Sequence, residues 1–330
     1  MTVTKPGYYD RFQCLAGSCP DSCCHQWEVQ VDDTAAEFYR GLPGPLGDRL
    51  REVLRDEDGA AYMTLEADRC PMWREDGLCR IQAELGHGAL CKTCREFPRL
   101  THDYGDFVEL GLELSCPEAA RWILGEAMPT VTLETPEDRE GEYDREAMTV
   151  LLDTRAEALA LLDSGRPVGE TLALLLLWGC EAQARLDGDE GCPFTADAAL
   201  ATAREMAAAG SAEDIRDFFL ELDILTGRWQ TRLQTLAGDG LHPGVIPLAR
   251  YLIQRHWLQA VSDYDLYCRV KFILVNCLLV SHLGGSFPET AQLFSKEIEN
   301  SWENLERLLD AAYSHRAFTD DKLLGLVLRG

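Results

Sequence analysis

The sequence predicts a mainly α-helical protein, in which a cysteine-rich N-terminal region with short strands packs on a C-terminal α-helical bundle. Two observations predict this fold class. Nine of the thirteen cysteines lie within the first 116 residues, and from residue 145 onward apolar residues recur with helical period. A polar, charged stretch at 135–144 separates the two regions. We therefore expect two domains, at 1–130 and at 145–330.

Short elements alternate with turns in the N-terminal region. Asp32 or Asp33 can cap a first helix, because aspartate accepts hydrogen bonds from the free N–H groups of a first turn. Ser115 is expected to cap a later helix. Cys116 would then lie at a helix N-terminus, where the helix dipole lowers the pKa of a thiol. The predicted helices cover 34–42, 46–57, 79–86 and 115–127, and the predicted strands lie within 29–33, 61–73 and 106–114.

The C-terminal region is predicted to be helical throughout, because its Leu and Ala stripes are typical of helices packed in a core. Its most apolar runs, 172–180 and 272–280, are shorter than the roughly 20 residues that cross a bilayer, so we expect no transmembrane segment. Cys180, Cys268 and Cys277 are expected to be buried as small hydrophobic side chains. The predicted helices cover 153–165, 168–186, 196–210, 211–238, 243–262, 265–285 and 288–315.

Charge and missing motifs exclude several classes of protein. The chain has 31 basic and 56 acidic residues, a formal net charge of −25, which repels phosphate backbones, so we expect no nucleic-acid partner. The N-terminus shows no secretory signal, which predicts a cytoplasmic location. The sequence has no P-loop, zinc-protease or serine-hydrolase motif. The lack of a strand, glycine-rich loop and helix in succession argues against a Rossmann-type methyltransferase or dehydrogenase.

The cysteines of the N-terminal third are the candidate functional residues. In a reducing compartment a dense group of thiols indicates metal or redox chemistry rather than disulfides. The spacing C-x4-C-x3-C-C, C-x8-C, C-x2-C and one solitary cysteine matches no common zinc finger or ferredoxin. Four thiolates hold one [4Fe-4S] cluster, which leaves supporting thiols or a second metal. Cys23 and Cys24 point apart in a regular backbone, although a sharp turn could bring both into one site.

Four segments in order carry a family resemblance. They are F-x-C-x4-C-x3-CC-x2-W from Phe12 to Trp27, DRCPMWREDGLCRIQAELG at 68–86, KTCREFPRL at 92–100 and LSCPEAARWIL at 114–124. This set resembles the flagellin lysine-N-methylase family. Related cysteine-cluster proteins, described as zinc- or iron-chelating, share a looser version of it. The resemblance covers about the first 125 residues, and the helical remainder only in length and character.

The resemblance implies an enzyme that transfers methyl groups from S-adenosyl-L-methionine to surface lysines of flagellin and carries a [4Fe-4S] cluster. Cys91 stands where the family often has another small residue, so it is left out of the metal-binding set. Trp27 matches the tryptophan of the family, and Pro98 and Arg99 match its Pro-Arg pair. The metal-binding candidates are Cys14, Cys19, Cys23, Cys24, Cys70, Cys79, Cys94 and Cys116.

Several roles stay open at this point. The cofactor-binding candidates are Trp27, Arg95 and Arg99: the arginines could clamp the carboxylate of the methyl donor or form surface ion pairs, and Trp27 could cover the site or anchor its loop. The cluster could bind the methyl donor, supply an electron or hold the fold together. No catalytic base is identified. The alternative function is a non-catalytic zinc- or iron-sulfur-binding module, or a redox sensor, whose helical domain docks a partner.

Overall fold

The structure is a computed structural model that describes residues 1–238 and 240–329. Helices make up 54% of it, which confirms the mainly α prediction. The strands are β1 (Thr2–Pro6), β2 (Val29–Val31), β3 (Leu54–Glu57), β4 (Ala60–Met63), β5 (Arg99–Asp103), β6 (Phe107–Leu112) and β7 (Thr130–Glu134). The α-helices are α1 (Asp33–Gly41), α2 (Gly44–Val53), α3 (Arg80–Leu85), α4 (Lys92–Glu96), α5 (Pro117–Ile123), α6 (Arg145–Leu162), α7 (Val168–Leu186), α8 (Ala196–Met206), α9 (Ala212–Leu220), α10 (Gly227–Leu233), α11 (Val245–His256), α12 (Leu266–His282), α13 (Phe287–Phe294), α14 (Trp302–Ser314) and α15 (Asp320–Val327).

A small apolar core forms between the first two helices and a three-stranded antiparallel sheet of order β2-β4-β3. Tyr39 of α1 and Leu50 of α2 are buried there together with Met63 of β4. The carboxylate of Asp32 accepts a hydrogen bond from the backbone N–H of Ala35 at 3.1 Å. Asp32 therefore caps α1, and of the two predicted caps it is the one used.

The helix predicted at 46–57 is wrong in its last turn. Helix α2 ends at Val53, and the residues that follow form β3, which pairs with β4. Asp58 and Gly59 join the two strands with φ angles of +50° and +82°. Positive φ at both central residues is typical of the Asp-Gly hairpin turn, which matches the right-handed twist of paired strands.

A second sheet, of order β5-β6-β1-β7, covers one side of the helical bundle. Strand β1 is parallel to β6 and antiparallel to β7, with Val3 opposite both Val108 and Leu133. The sequence predicted neither β1 nor β7. The stretch at 135–144 has no helix or strand, as predicted. It is fastened at its start, because the N-terminal ammonium of Met1 donates to the carbonyl oxygen of Glu137 at 2.8 Å.

The helical bundle is built around α7 and α12, which pack together in the large apolar core. The bounds of α7 agree with the prediction. Three long predicted helices are divided in the structure. The helix predicted at 211–238 is α9 and α10, and the one predicted at 243–262 passes from α11 into a 3₁₀ turn. The helix predicted at 288–315 is α13 and α14, with a π-helix at Ser295–Glu299 between them. New N-caps cause two of these breaks, because the hydroxyl of Thr226 accepts from Trp229 N–H and that of Ser301 from Asn304 N–H.

The three cysteines of the predicted helical core differ in exposure. Cys268 and Cys277 are buried, as predicted, but Cys180 is exposed. Gly179 of α7 faces α12, and the next residue on a helix points about 100° away from it. Cys180 therefore faces outward.

No helix in the described ranges has both the length and the apolar composition needed to cross a membrane. The proposed domain boundaries at 130 and 145 stay a prediction. The small core uses residues between Val29 and Cys91, and the large core includes Phe12, the residues around α5 and the helical bundle.

A thiol-lined cavity as the candidate site

A cavity of about 490 Å³ lies where the cysteine-bearing loops meet the helical bundle, and we call it the thiol-lined cavity. Its walls include side chains from 12–27, 77–99 and 115–118, and Lys296 from the π-helix. Seven of the eight predicted metal-binding cysteines line it: Cys14, Cys19, Cys23, Cys24, Cys79, Cys94 and Cys116. All thirteen cysteines are free thiols. Segments distant in sequence thus contribute cysteines to the wall of one cavity.

The adjacent cysteines form a chain of hydrogen-bonded thiols. Side-chain hydrogen bonding between Cys23 and Cys24, and between Cys24 and Cys70, shifts the pKa of each thiol. The first bond raises the pKa of Cys23. The pKa of Cys24 is lowered by the bond with Cys23, but the bond with Cys70 and burial raise it to about 12. The pKa of Cys70 is lowered by the bond with Cys24. Both adjacent thiols join one group because residues 23–24 form a turn.

The C-x2-C pair lies at the start of α4. Cys91 is the N-cap residue, and its pKa is shifted by side-chain hydrogen bonding with Cys94. This bond, opposed by burial, lowers the pKa of Cys91 to about 7, and it raises the pKa of Cys94. A thiolate, rather than a thiol, is the form that binds metals. Cys91, which the family resemblance sets aside, is therefore close to ionisation near neutral pH and adjoins the predicted set.

Cys14, Cys19 and Cys116 form a third group. Cys116 is the N-cap residue of α5, so the predicted cap at Ser115 is displaced by one residue, with Pro117 in the first turn, where its missing N–H costs nothing. The predicted fall in the pKa of Cys116 is wrong. Burial raises it to about 12, although N–H groups of the first turn act in the opposite direction. The neighbouring thiols of Cys19 and Cys14 act on the pKa of Cys116 in the same direction as burial.

The thiols fit a soft metal by their chemistry. Sulfur ligands select zinc, copper(I) and iron-sulfur clusters. Across residues 1–238 and 240–329, however, no group of three or more His, Cys, Asp or Glu side chains is arranged to hold a metal ion. A metal-binding N-terminal region and a cluster therefore stay proposals.

All three cofactor-binding candidates line the thiol-lined cavity. The indole N–H of Trp27 donates to the carbonyl oxygen of Cys23 at 2.6 Å, and its ring packs edge-on against Phe97. Trp27 thus both lines the cavity and anchors its loop. Arg95 donates to the backbone carbonyl oxygen of Leu90, and the guanidinium of Arg99 lies 5.3 Å from the ring centre of Phe12. Among the described residues, neither arginine forms an ion pair with a carboxylate.

A buried ion pair that the sequence did not predict lies at the cavity wall. The Nζ atom of Lys296 lies 3.2 Å from Oδ2 of Asp21, and their side chains are only 6% and 11% exposed. The amide of Gln292 donates both to Asp21 at 3.1 Å and to the carbonyl oxygen of Ser115 at 2.7 Å. These bonds fasten the Cys19–Cys24 loop and the Cys116 turn to α13 and the π-helix. The sequence carried no signal for this pair, because Lys296 lies opposite the apolar stripe of the helix predicted at 288–315.

The fold and the site define a cysteine-cluster protein on a mainly helical scaffold. Over 136 residues, 38% of the chain, it is 32% identical to the flagellar biosynthetic protein FliU of Salmonella muenchen, of which the match covers 79%. It is also 33% identical to a lysine-N-methylase of Salmonella typhimurium and 32% identical to one of Salmonella choleraesuis, each over 136 residues. The chain belongs to this family, the flagellin lysine-N-methylase family that the cysteine motifs predict.

The match spans only about a third of each lysine-N-methylase, 33% of its length. No family model matches the chain. No solved structure matches it significantly.

Proposed function

We propose that this chain is a protein-lysine N-methyltransferase that uses S-adenosyl-L-methionine to methylate surface lysines of flagellin. We further propose that its N-terminal thiols hold a [4Fe-4S] cluster. The observation that carries the proposal is the gathering of seven motif cysteines and two free arginines around one cavity, in a relative of proteins named lysine-N-methylase and FliU.

The cavity suits S-adenosyl-L-methionine in its size and in the charged groups at its wall. Its volume of about 490 Å³ lies within the roughly 300–1,000 Å³ of small-molecule sites. Arg95 and Arg99 would pair with the donor's carboxylate, because guanidinium groups bind carboxylates through two parallel hydrogen bonds. The ring of Trp27 offers a face that attracts a sulfonium cation. When bound, S-adenosyl-L-methionine would supply its sulfonium methyl group.

The cavity also carries carboxylates for the acceptor lysine. A lysine side chain has a pKa of about 10.4 in water and attacks only as the neutral amine. Asp21 and Glu118 lie at the wall, where their carboxylate oxygens can accept a hydrogen bond from the incoming ammonium while they stay paired with Lys296 and Arg121. Burial of that group away from water lowers its pKa and favours loss of the proton. When bound, the donor would supply the methyl group to the lone pair of this neutral amine and would leave as a neutral thioether.

Two sets of neighbouring cysteines would supply cluster ligands. The chain from Cys23 through Cys24 to Cys70 ends in a thiol of lowered pKa, and so does the pair of Cys94 and Cys91. These two ends would ionise first and start the ligand set. When bound, the cluster would supply an open iron position, an electron or a rigid frame.

The test is mass spectrometry of flagellin after incubation with anaerobically reconstituted protein and S-adenosyl-L-methionine. We expect lysines to gain about 14 Da per methyl group. The double variant R95Q/R99Q should lose this activity. The matched variant R204Q, which removes an exposed arginine paired with Glu170, should keep it. An absorption band near 400 nm would indicate the cluster rather than zinc. Unmodified lysines despite that band would contradict the enzyme proposal.

A further inference from the structure

Two outer cavities, of about 550 and 480 Å³, continue from the thiol-lined cavity along the surface. Asp21 and Pro117 line both the thiol-lined cavity and the larger outer cavity. Arg228 and Glu289 line both outer cavities. Shared walls of this kind mean that the three spaces adjoin in series. We call the two outer cavities together the outer groove, and it is bounded by α5, α10 and α13.

The outer groove has a local excess of positive charge in a chain of net charge −25. The carboxylate of Glu289 is shared by two guanidinium groups, those of Arg228 at 2.6 Å and Arg232 at 3.0 Å. Arg228 also lies 3.8 Å from Asp21, which Lys296 already neutralises at 3.2 Å. Three cations thus face two carboxylates. One positive charge is left for a ligand.

The walls of the outer groove suit an extended polypeptide. Pro20, Pro117 and Pro288 present rings without N–H groups, and Leu124 adds apolar surface. The side chain of Arg228 is 46% exposed, so it can contact a ligand while it stays paired with Glu289. A long polyanion is disfavoured because the strongly acidic protein repels it. A protein segment with one acidic side chain interacts mainly with the positive charge of the outer groove.

We infer, on the basis of the proposed function, that the outer groove binds an extended segment of the protein substrate. Its lysine enters the thiol-lined cavity past Asp21, and Arg228 and Arg232 bind an acidic side chain of the same segment. An extended chain advances about 3.3 Å per residue. Because Arg228 lies beside Asp21, the acidic residue falls within about four residues of the lysine. The groove thus selects which surface lysines are modified.

The experiment measures binding of two labelled synthetic peptides to the full chain by fluorescence anisotropy. Both contain one lysine, and they differ only in an aspartate or an asparagine two positions away. We expect the aspartate peptide to bind about tenfold more tightly, and R228Q and R232Q to remove this preference. R204Q should leave it unchanged. E289Q frees both arginines and should strengthen binding of the aspartate peptide, which tests the charge argument even if R232Q folds poorly.

Equal affinity for the two peptides, or no effect of R228Q and E289Q, would overturn the inference. So would binding of single-stranded DNA with the same dependence on Arg228. Methylation of flagellin by R228Q with an unchanged KM would reject the outer groove and leave the proposed function intact. Binding that depends on aspartate, without any methyl transfer, would support the groove and reject the proposed activity.

Discussion

His102 of β5 is kept neutral by its surroundings. It lies at the wall of a cavity of about 160 Å³ between the four-stranded sheet and the helices. Burial lowers the pKa of its imidazole to about 4, and positive charge on Arg255 acts in the same direction, while Glu109 opposes it. The unfolded chain, in contrast, takes up this proton near the ordinary value of 6.5.

This difference predicts a stability that falls as the pH drops below 6.5. Between pH 7 and pH 5 the unfolded state gains a proton at His102 and the folded state does not, which costs the fold about 2 kcal/mol. Urea unfolding of the wild type and of H102Q at both pH values measures this directly. The wild type should lose about 2 kcal/mol more than H102Q, because all other histidines are common to both. Equal losses would mean that His102 is protonated in the folded protein.

The site residues that the sequence predicted are those whose signal is local. Closely spaced cysteines and their flanking Trp27, Arg95 and Arg99 could be picked out without knowing the fold, and all three flanking residues line the cavity. Lys296 could not, because its partner Asp21 is 275 positions away along the chain. The pKa of Cys116 was predicted with the wrong sign for a similar reason: its burial depends on contacts that the sequence does not show.

At the scale of elements, long periodic segments were predicted best. Helix α7 has the predicted bounds because its apolar pattern continues without a break and fits only one helix. Strands β1 and β7 were missed because their partners are remote: β1 lies between β6 and β7, which follow it by about a hundred residues. Strand β3 was missed although its Asp58-Gly59 turn was visible, since the preceding helical pattern was extended too far.

The packing of α7 on α12 depends on a missing side chain. A Cβ atom on Gly179 would lie 2.6 Å from Cγ1 of Val270, and 2.8 Å from Cγ2. Replacing a glycine within a helix by alanine usually stabilises it by about 0.5–1 kcal/mol. Here we expect the opposite sign, because the added methyl overpacks the core, at a cost of about 1–3 kcal/mol.

Urea unfolding of G179A measures this cost. The matched control is G227A, at the first residue of α10, where an added Cβ meets nothing within 4 Å. G227A should be neutral or slightly stabilising. In G179A the addition of V270A should recover part of the loss, since it removes both contacting methyl groups. A wild-type midpoint for G179A would show that the two helices can move apart freely.

At the scale of the whole molecule, the thiol-lined cavity lies where the two apolar cores meet. Cys79 packs against the small core, and Cys116 belongs to the large one. Between them, the Asp21–Lys296 pair joins a cysteine-bearing loop to the π-helix. A ligand gripped by thiols from both sides would therefore couple the two cores. Without it, the loops at 14–27 are held to the rest of the chain by the bonds of Asp21 to Lys296 and Gln292 and by two backbone hydrogen bonds to residues 68–70.

If the thiols hold a cluster, its removal should loosen these loops and leave the bundle unchanged. A ligand that binds only the folded state stabilises it, and the effect is greatest where the ligand contacts the chain. Hydrogen exchange followed by mass spectrometry compares anaerobically reconstituted protein with the same protein after treatment with a chelator. Amides at 14–27, 70–79 and 91–96 should exchange at least about tenfold faster after chelation, which corresponds to about 1.4 kcal/mol.

The buried amides of α12 supply the internal reference and should not change. C70S should reproduce the chelator pattern without chelator, because it removes one of the two thiols proposed to start the ligand set. C192S, which alters an exposed cysteine outside the cavity, should behave as wild type. Faster exchange spread evenly over α12 and the loops would instead mean that chelation destabilises the whole fold. No change at 14–27 would mean that the thiols hold no metal. Lys296 and Gln292 would then be the groups that hold the two cores together.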